Sequence, residues 1–358
     1  MKIGKKQIVL CCAALLSLLL SGVLMLISRI TAGSLLSQQA AERWSSASDA
    51  AQISVFAGSN ASFSSATVEQ IEDAVNSALK QAAMEQQKDG PRLWYDAYSS
   101  NVGQMQMRGK KRGTASVEVT AVGGDFFTMH PLQLLNGNYL SKDDLMQDRI
   151  VIDETLAWLL FGSSNVSGMT VTVDGRSIPV AGVVRLEQDN ATRKAAGEAP
   201  RAFMPYALYN ALQGGYESDA ATGSSITCYE IVMPDLVRGY ALKTITDAVG
   251  SSDQTDPAIK LVQNTGRFSL SNRWKTATGL SDMVIIPDSM SYPYWENAAR
   301  IRSFELGLLL WPELLLLIFP VVTGVLLLWK AYRRLERTIS ERRLARKNRY
   351  RTTLDIQV

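Results

Sequence analysis

Residues 116–185 read SVEVTAVGGDFFTMHPLQLLNGNYLSKDDLMQDRIVIDETLAWLLFGSSNVSGMTVTVDGRSIPVAGVVR, and their pattern decides the fold. Residues 116–122 alternate apolar and polar side chains as a half-buried strand does, and a Gly-Gly-Asp turn follows. Residues 150–152 form a short buried strand that runs into a helix over 154–161, with Asp153 as its N-cap and Gly162 as its stop. Asp174-Gly175 then separates two alternating runs, 169–173 and 177–184. A two-residue hairpin turn needs positive φ at both central positions, which Asp-Gly supplies, so the two runs pair.

Outward from this stretch, two strand-helix-strand units bracket the chain's middle. The first has a strand at 52–56, a helix from a capping-box pattern at Thr67 to about Gln87, and a strand at 93–98. Val68, Ile71, Val75 and Leu79 share one face of that helix. The second has a strand at 226–233, a helix over 234–249 and a strand at 259–263. Two such units on one sheet make a ferredoxin-like layer. The hairpin-rich middle, including 104–108, becomes a second lobe inserted between them. Residues 201–210 read as a strand followed by a proline-started helix; the polar stretches 187–200 and 213–225 that flank them read as exposed loops.

The ends of the chain are of a different kind. Residues 7–28 carry no charge and follow Lys2, Lys5 and Lys6. At about 1.5 Å per residue they cover a hydrocarbon core of about 30 Å. They form an uncleaved anchor rather than a secretory leader, whose apolar region is shorter, although Ile30-Thr31-Ala32 has the character of a cleavage site. A second apolar run fills 306–329, and a strongly basic segment, 330–351, follows it. Basic flanks remain cytoplasmic, which puts both termini inside a bacterial inner membrane and residues 29–302 outside. The net charge of +3 is therefore a property of the cytoplasmic ends, and the basic tail points to lipid head groups or a membrane-bound partner, not to nucleic acid.

The fold class that results is a membrane protein: two transmembrane helices flank a large α+β extracytoplasmic domain with a ferredoxin-like lobe and a hairpin-rich lobe. Its divisions are a cytoplasmic start at 1–6, a first span at 7–28, a helical stalk at 29–51, a core domain at 52–300, an interfacial shoulder at 301–313, a second span at 314–329 and a basic tail at 330–358. Residues 294–302 act as the second stalk.

Several residues invite a chemical reading. Glu313 is an ionisable group inside an apolar run, by default a functional residue. Pro312 and Glu313 also suit the first turn of a helix, and the shoulder follows from that preferred reading. Pro320 lies mid-span with Thr323 and Gly324 just beyond, and a kinked span of this kind packs against other helices. In the tail, Arg333, Arg334, Arg337, Arg342, Arg343 and Arg346 surround Leu335, Ile339 and Leu344 as on an amphipathic juxtamembrane helix.

Enzymatic chemistry finds little support. His130 is the one histidine and precedes Pro131 in an apolar setting, as a packed residue does; no nucleophile-elbow motif accompanies it. His130 and Cys228 are too few for a zinc site, and Cys11 and Cys12 lie in the first span, so no internal disulfide or metal cofactor is expected. Asp143, Asp144 and Asp148 lack the spacing of a calcium loop. No phosphate-cradling motif occurs, so any ATP is hydrolysed by another subunit.

The order of motifs across 116–185, with "VGGDFF", "LLNGNYLSKDD", "IVIDETLAWLLFG" and "VDGRSIPVAGVV", resembles the periplasmic core domain of MacB-like, FtsX-like ABC-transporter permeases. Asn138 stands where that family usually has Arg, and Met169 where it has Lys. The resemblance implies a permease-like membrane subunit of an ABC-type export or mechanotransmission complex, driven by an ATPase on a separate chain that the tail contacts. Such permeases carry two further spans, which implies a short form completed by another FtsX-like chain or by a second copy. The other reading is a bitopic envelope sensor, adhesion or accessory protein that uses the same outer fold.

Overall fold

The computed structural model describes residues 5–45, 49–58, 61, 63–85, 90–110, 113–214, 225–250, 258–279 and 290–354. Two compact units emerge, Thr31–Glu305 and the pair of terminal segments Met1–Ile30 with Leu306–Val358.

The middle unit is built on one ten-stranded sheet. Its strands are β1 (Ala50–Ala57), β2 (Tyr95–Gly109), β3 (Thr114–Gly124), β4 (Gln133–Gly137), β5 (Ile150–Asp153), β6 (Thr170–Val173), β7 (Arg176–Arg185), β8 (Arg201–Pro205), β9 (Cys228–Pro234) and β10 (Ile259–Gln263). At one end the order is β10-β1-β9-β2, with β9 antiparallel between β1 and β2. With helices Ser65–Gln81 after β1 and Tyr240–Ala248 after β9, this is the expected ferredoxin-like layer. The second lobe is inserted between β2 and β9, as the sequence implies, yet shares the sheet. The cause is β2, fifteen residues long, which pairs with β9 at its start and with β6 at its end. A strand of that length spans both lobes.

The local punctuation behaves as its chemistry dictates. Asp174 and Gly175 take φ of 46° and 80°, closing the hairpin of β6 on β7. Asp153 accepts the Leu156 N–H at 2.7 Å as N-cap of Glu154–Phe161, and Gly162 ends that helix at φ 73°. Burial pushes the Asp153 carboxyl up to about 6, against the pull of the hydrogen bond from Leu156.

All eight residues of β1 are buried, so both faces of the sheet are covered. Ala51, Ile53 and Val55 join Val68, Ile71, Val75 and Leu79 in one core. Ala50 and Phe56 join Ala40, Tyr95, Tyr292 and Trp295 in another, on the opposite side by strand alternation. A ferredoxin-like sheet with helices on one face needs cover for the other, and the segments flanking the membrane helices provide it.

Here several sequence expectations are corrected. The first helix, Lys5–Ala32, does not continue outward as a stalk; a 3-10 turn at Leu36–Gln38 and a short helix at Ala40–Trp44 follow, and Leu35, Ser37, Gln38, Ala40 and Ala41 are buried. The start of helix Tyr294–Leu354 is likewise no stalk, because Tyr294, Trp295, Ala298 and Ala299 belong to the domain's cores. That helix runs unbroken through Pro312 and Glu313, so these residues do not open a new helix and the shoulder has no separate origin. A proline interrupts one backbone bond, and neighbouring groups in a helix pair can satisfy the carbonyl it leaves.

Smaller differences concern boundaries. The helix after β1 starts with Ser64 as cap and Thr67 as the third residue, which form the capping box, and it ends at Gln81. The helix after β9 starts only at Tyr240, and the Asp235 carboxylate accepts the N–H groups of Gly239 just before it and of Ala241 in its first turn. Residues 187–200 are not simply a loop: Asp189 caps a helix at Asn190–Ala196. Within the predicted loop 213–225, positions 215–224 lie outside the described residues.

Candidate functional site: an ion-paired clamp and a polar seam

Alternation along β1 directs Gln52 and Ser54 to the face opposite the helices, and both find partners there. The Gln52 amide donates to the Ser37 carbonyl at 2.7 Å and accepts the Ala40 N–H at 2.9 Å, which fixes the segment leaving the first membrane helix. The segment before the second is held by charge. Glu296, 1% exposed, takes two hydrogen bonds from Arg267 at 2.6 and 2.9 Å and one from Arg300 at 3.0 Å. One turn and a half onward, buried Arg302 bonds Asp189 at 2.9 Å, Glu305 at 2.9 Å and the Ser34 hydroxyl at 3.3 Å. Removing one member of such a buried pair leaves a charge uncompensated, at a cost of about 3–5 kcal/mol. The two exits of the domain are therefore clamped, not slack.

Among the terminal segments, Ser17, Ser21 and Ser28 lie at i, i+4 and i+11 on one face of the first helix and are buried. Ser17 donates to the Leu316 carbonyl at 2.6 Å, Ser21 to the Glu313 carbonyl at 3.2 Å, and Ser28 to the Glu313 carboxylate. Leu316 is four residues before Pro320, whose missing N–H leaves that carbonyl without its helical donor. The hydroxyl of Ser17 takes its place. Glu313 and Pro320, singled out separately in the sequence, thus belong to one interhelical seam, and buried Thr323 lies just past it. Apolar residues elsewhere on these helices are exposed, Leu19 at 68% and Leu328 at 72%, as suits lipid-facing helices and not the core helix of a soluble protein.

The tail continues the second helix. Arg333 stacks on the Trp329 ring at 3.9 Å, and the side chains of Arg334, Arg337, Arg342 and Arg343 are exposed along the helix, while that of Arg346 lies outside the described residues. Leu335 and Ile339 share a face, but helical geometry turns Leu344 about 140° from Ile339, so the apolar stripe is shorter than the sequence reading has it.

His130 is buried and bonds Glu230 through Nε2 at 2.6 Å, between the rings of Phe126 and Trp295. Ser54 donates to the same carboxylate at 2.8 Å and accepts from Asn264 at 2.7 Å. With the carboxylate between them, serine and histidine are not in contact as nucleophile and base, and this network ties the two lobes together. Among the described residues no cluster of three or more metal-ligating side chains occurs.

Sequence reading missed the three serines, the Arg302 pairs and Glu296. The serines carry a signal, a spacing of 4 and 7 on one helical face; the ion pairs join residues far apart in the chain and carry none.

The chain matches a family model described as MacB-like periplasmic core domain over residues 14–259. No curated protein sequence matches it. Among solved structures it is similar to the periplasmic region of MacB from Actinobacillus actinomycetemcomitans, at 17% identity and a TM-score of 0.39, covering 60% of this chain and 89% of that one. It is also similar to the extracellular domain of the noncanonic ABC-type transporter YknZ from Gram-positive bacteria, at 12% identity and a TM-score of 0.39, covering 59% and 99%. A third is a domain of a putative permease from Porphyromonas gingivalis, at 12% identity and a TM-score of 0.34, covering 60% and 89%. With a fold of two apolar terminal helices around an α+β domain, and a family match across more than half its length, the chain belongs to the MacB-like periplasmic core domain family.

Proposed function

We propose that the chain is a permease-like membrane subunit of an ABC-type export or mechanotransmission complex, in which an ATPase on a separate chain moves the outer domain through the two membrane helices. The observation that carries this reading is the clamp. Glu296 between Arg267 and Arg300, and Arg302 between Asp189 and Glu305, fix the chain where it leaves the domain. A flexible linker would absorb displacement, whereas ends held by buried ion pairs pass it on.

The other parts take roles in the same reading. The seam of Ser17, Ser21, Ser28, Glu313 and the Pro320-freed carbonyl keeps the helices in register, so that they shift as a pair. Basic flanks at 2–6 and 330–351 set both termini in the cytoplasm of a bacterial cell, with residues 29–302 beyond the inner membrane. Exposed arginines of the tail contact the ATPase or anionic lipid, the latter worth about 1 kcal/mol per cation near the surface. The membrane partner is a further FtsX-like chain or a second copy of this one.

The test is photo-cross-linking in cells with Arg337→p-benzoylphenylalanine. A cross-link to a nucleotide-binding ATPase supports the reading; cross-links to lipid alone, over several tail positions, contradict it.

A further inference from the structure

The start of β1 lies beside the ends of both its neighbours, because β9 and β10 run antiparallel to it: Ala50 pairs with Pro234, and Ile53 with Gln263. The residues through which the chain enters and leaves the domain gather at this end of the sheet. Gln52 holds the Ser37 carbonyl, and Arg267 bonds Gln38 at 3.1 Å and Glu296 at 2.6 Å. Phe268 packs against the cluster of Leu35, Ala298 and Ala299. Within a few residues of Leu35 and Arg302 the chain passes into its two apolar helices, at Ile30 and Leu306.

Two connections at the same end show apolar side chains to solvent. The first follows β9 and is closed from within: the Asp235 N–H donates to the Asp49 carbonyl at 2.6 Å, and its carboxylate takes the Gly239 and Ala241 N–H groups at 3.2 and 3.0 Å. Residues 236–238 are thereby held out as a tip, with Leu236 63% and Val237 74% exposed. The second is the helix Leu270–Thr278, on which Leu270 and Trp274, four residues apart on one face, are 66% and 49% exposed. Leu36 and Phe304, beside the exits themselves, are exposed as well. Arg238, Arg273 and Lys275 adjoin these apolar groups in the chain.

We propose that this end of the domain is a lipid-contacting surface, on which the tip at 236–237 and the Leu270–Trp274 face enter the head-group layer of the bilayer that the apolar helices cross. Apolar side chains brought together on one surface mark a contact with something other than water. Leucine, valine and tryptophan with basic neighbours suit a bilayer boundary: the apolar groups leave water, and the cations meet lipid phosphates. The bilayer is also the occupant that the chain itself supplies, because both exits tether this end of the sheet beside it. The inference rests on the two helices crossing a membrane and not on the transport reading.

The test is a nitroxide depth measurement on the full-length chain in nanodiscs of phosphatidylcholine and phosphatidylglycerol. The chain carries Cys11→Ala and Cys12→Ala, keeps the buried Cys228, and receives one of Val237→Cys, Leu270→Cys, Trp158→Cys or Leu19→Cys. Trp158 is the reference in water: it is 54% exposed on helix Glu154–Phe161, whose Leu160 lies on Gly109 at the far end of β2. Leu19 is the reference within the first span. The expected result at positions 237 and 270 is a ratio of oxygen to nickel-chelate collisions about threefold or more above that at position 158, with position 19 reading hydrocarbon. A water-like ratio at 237 and 270, with hydrocarbon at 19, overturns the surface and leaves the span standing. A fall in both kinds of collision at 237 and 270 means that protein covers them, and overturns it too. A water-like reading at position 19 overturns the span and the surface together.

Discussion

Ser17 and Pro320 share one carbonyl: the proline withholds the N–H that would bond Leu316, and the serine hydroxyl supplies a donor at 2.6 Å. The substitutions Ser17→Ala and Pro320→Ala are therefore coupled. Ser17→Ala alone leaves the carbonyl unsatisfied and weakens the helix pair by about 1 kcal/mol. In the Pro320→Ala background the helix supplies its own N–H, and the same change costs little. A double-mutant cycle on the full chain in micelles reads the difference, and additive effects contradict the pairing.

Glu296 sits between Arg267 and Arg300, so Glu296→Ala removes the carboxylate that both arginines bond. The domain loses about 3–5 kcal/mol in denaturant unfolding. Glu305→Ala, at the partly exposed edge of the same clamp, costs about 1 kcal/mol or less.

Asp96 gives stability an acid-favouring component. Burial, and then the neighbouring Glu72 carboxylate, bring its folded-state value to about 7, above the usual 3.8 of an aspartate, so its contribution is fully present below about pH 4 and is lost as pH rises through 7. Asp96→Asn cannot ionise, and it stabilises the domain relative to wild type at pH 8 by a few kcal/mol, with that gain gone by pH 4. Thermal unfolding at the two pH values checks the sign; a larger gain at pH 4 contradicts it.

The β6–β7 turn depends on Gly175 at φ 80°. A side chain there costs about 1–2 kcal/mol in the left-handed region, so Gly175→Val lowers the domain's unfolding free energy by that amount. Asp174→Gly is neutral or mildly stabilising, because Asp174 already bears a positive φ of 46°.

These predictions divide along what the sequence discloses. Asp174-Gly175 and Gly162 act through their own backbone and Asp153 through a bond to the N–H three residues on, so local rules find them. The four buried residues of helix Ser65–Gln81 are legible for the same reason, a 3.6-residue period. Gln52 and Ser54 read as ordinary polar positions of a half-exposed strand, because their partners Glu230, Asn264 and the 37–40 segment come from elsewhere in the chain. Pro312 and Glu313 misled for a related reason. They fit a helix start by local preference, yet helix Tyr294–Leu354 continues through them and Ser28 meets the Glu313 carboxylate.

The most direct measurement is a mild-detergent pull-down of the tagged full-length chain, with and without residues 330–358, its partners identified by mass spectrometry. An ATPase that accompanies the full chain and is lost with the tail is the expected result, and it makes the arginine-rich helix the coupling element. Recovery of the chain with no ATPase in either form contradicts a role in ATP-driven transport and leaves a free-standing envelope module.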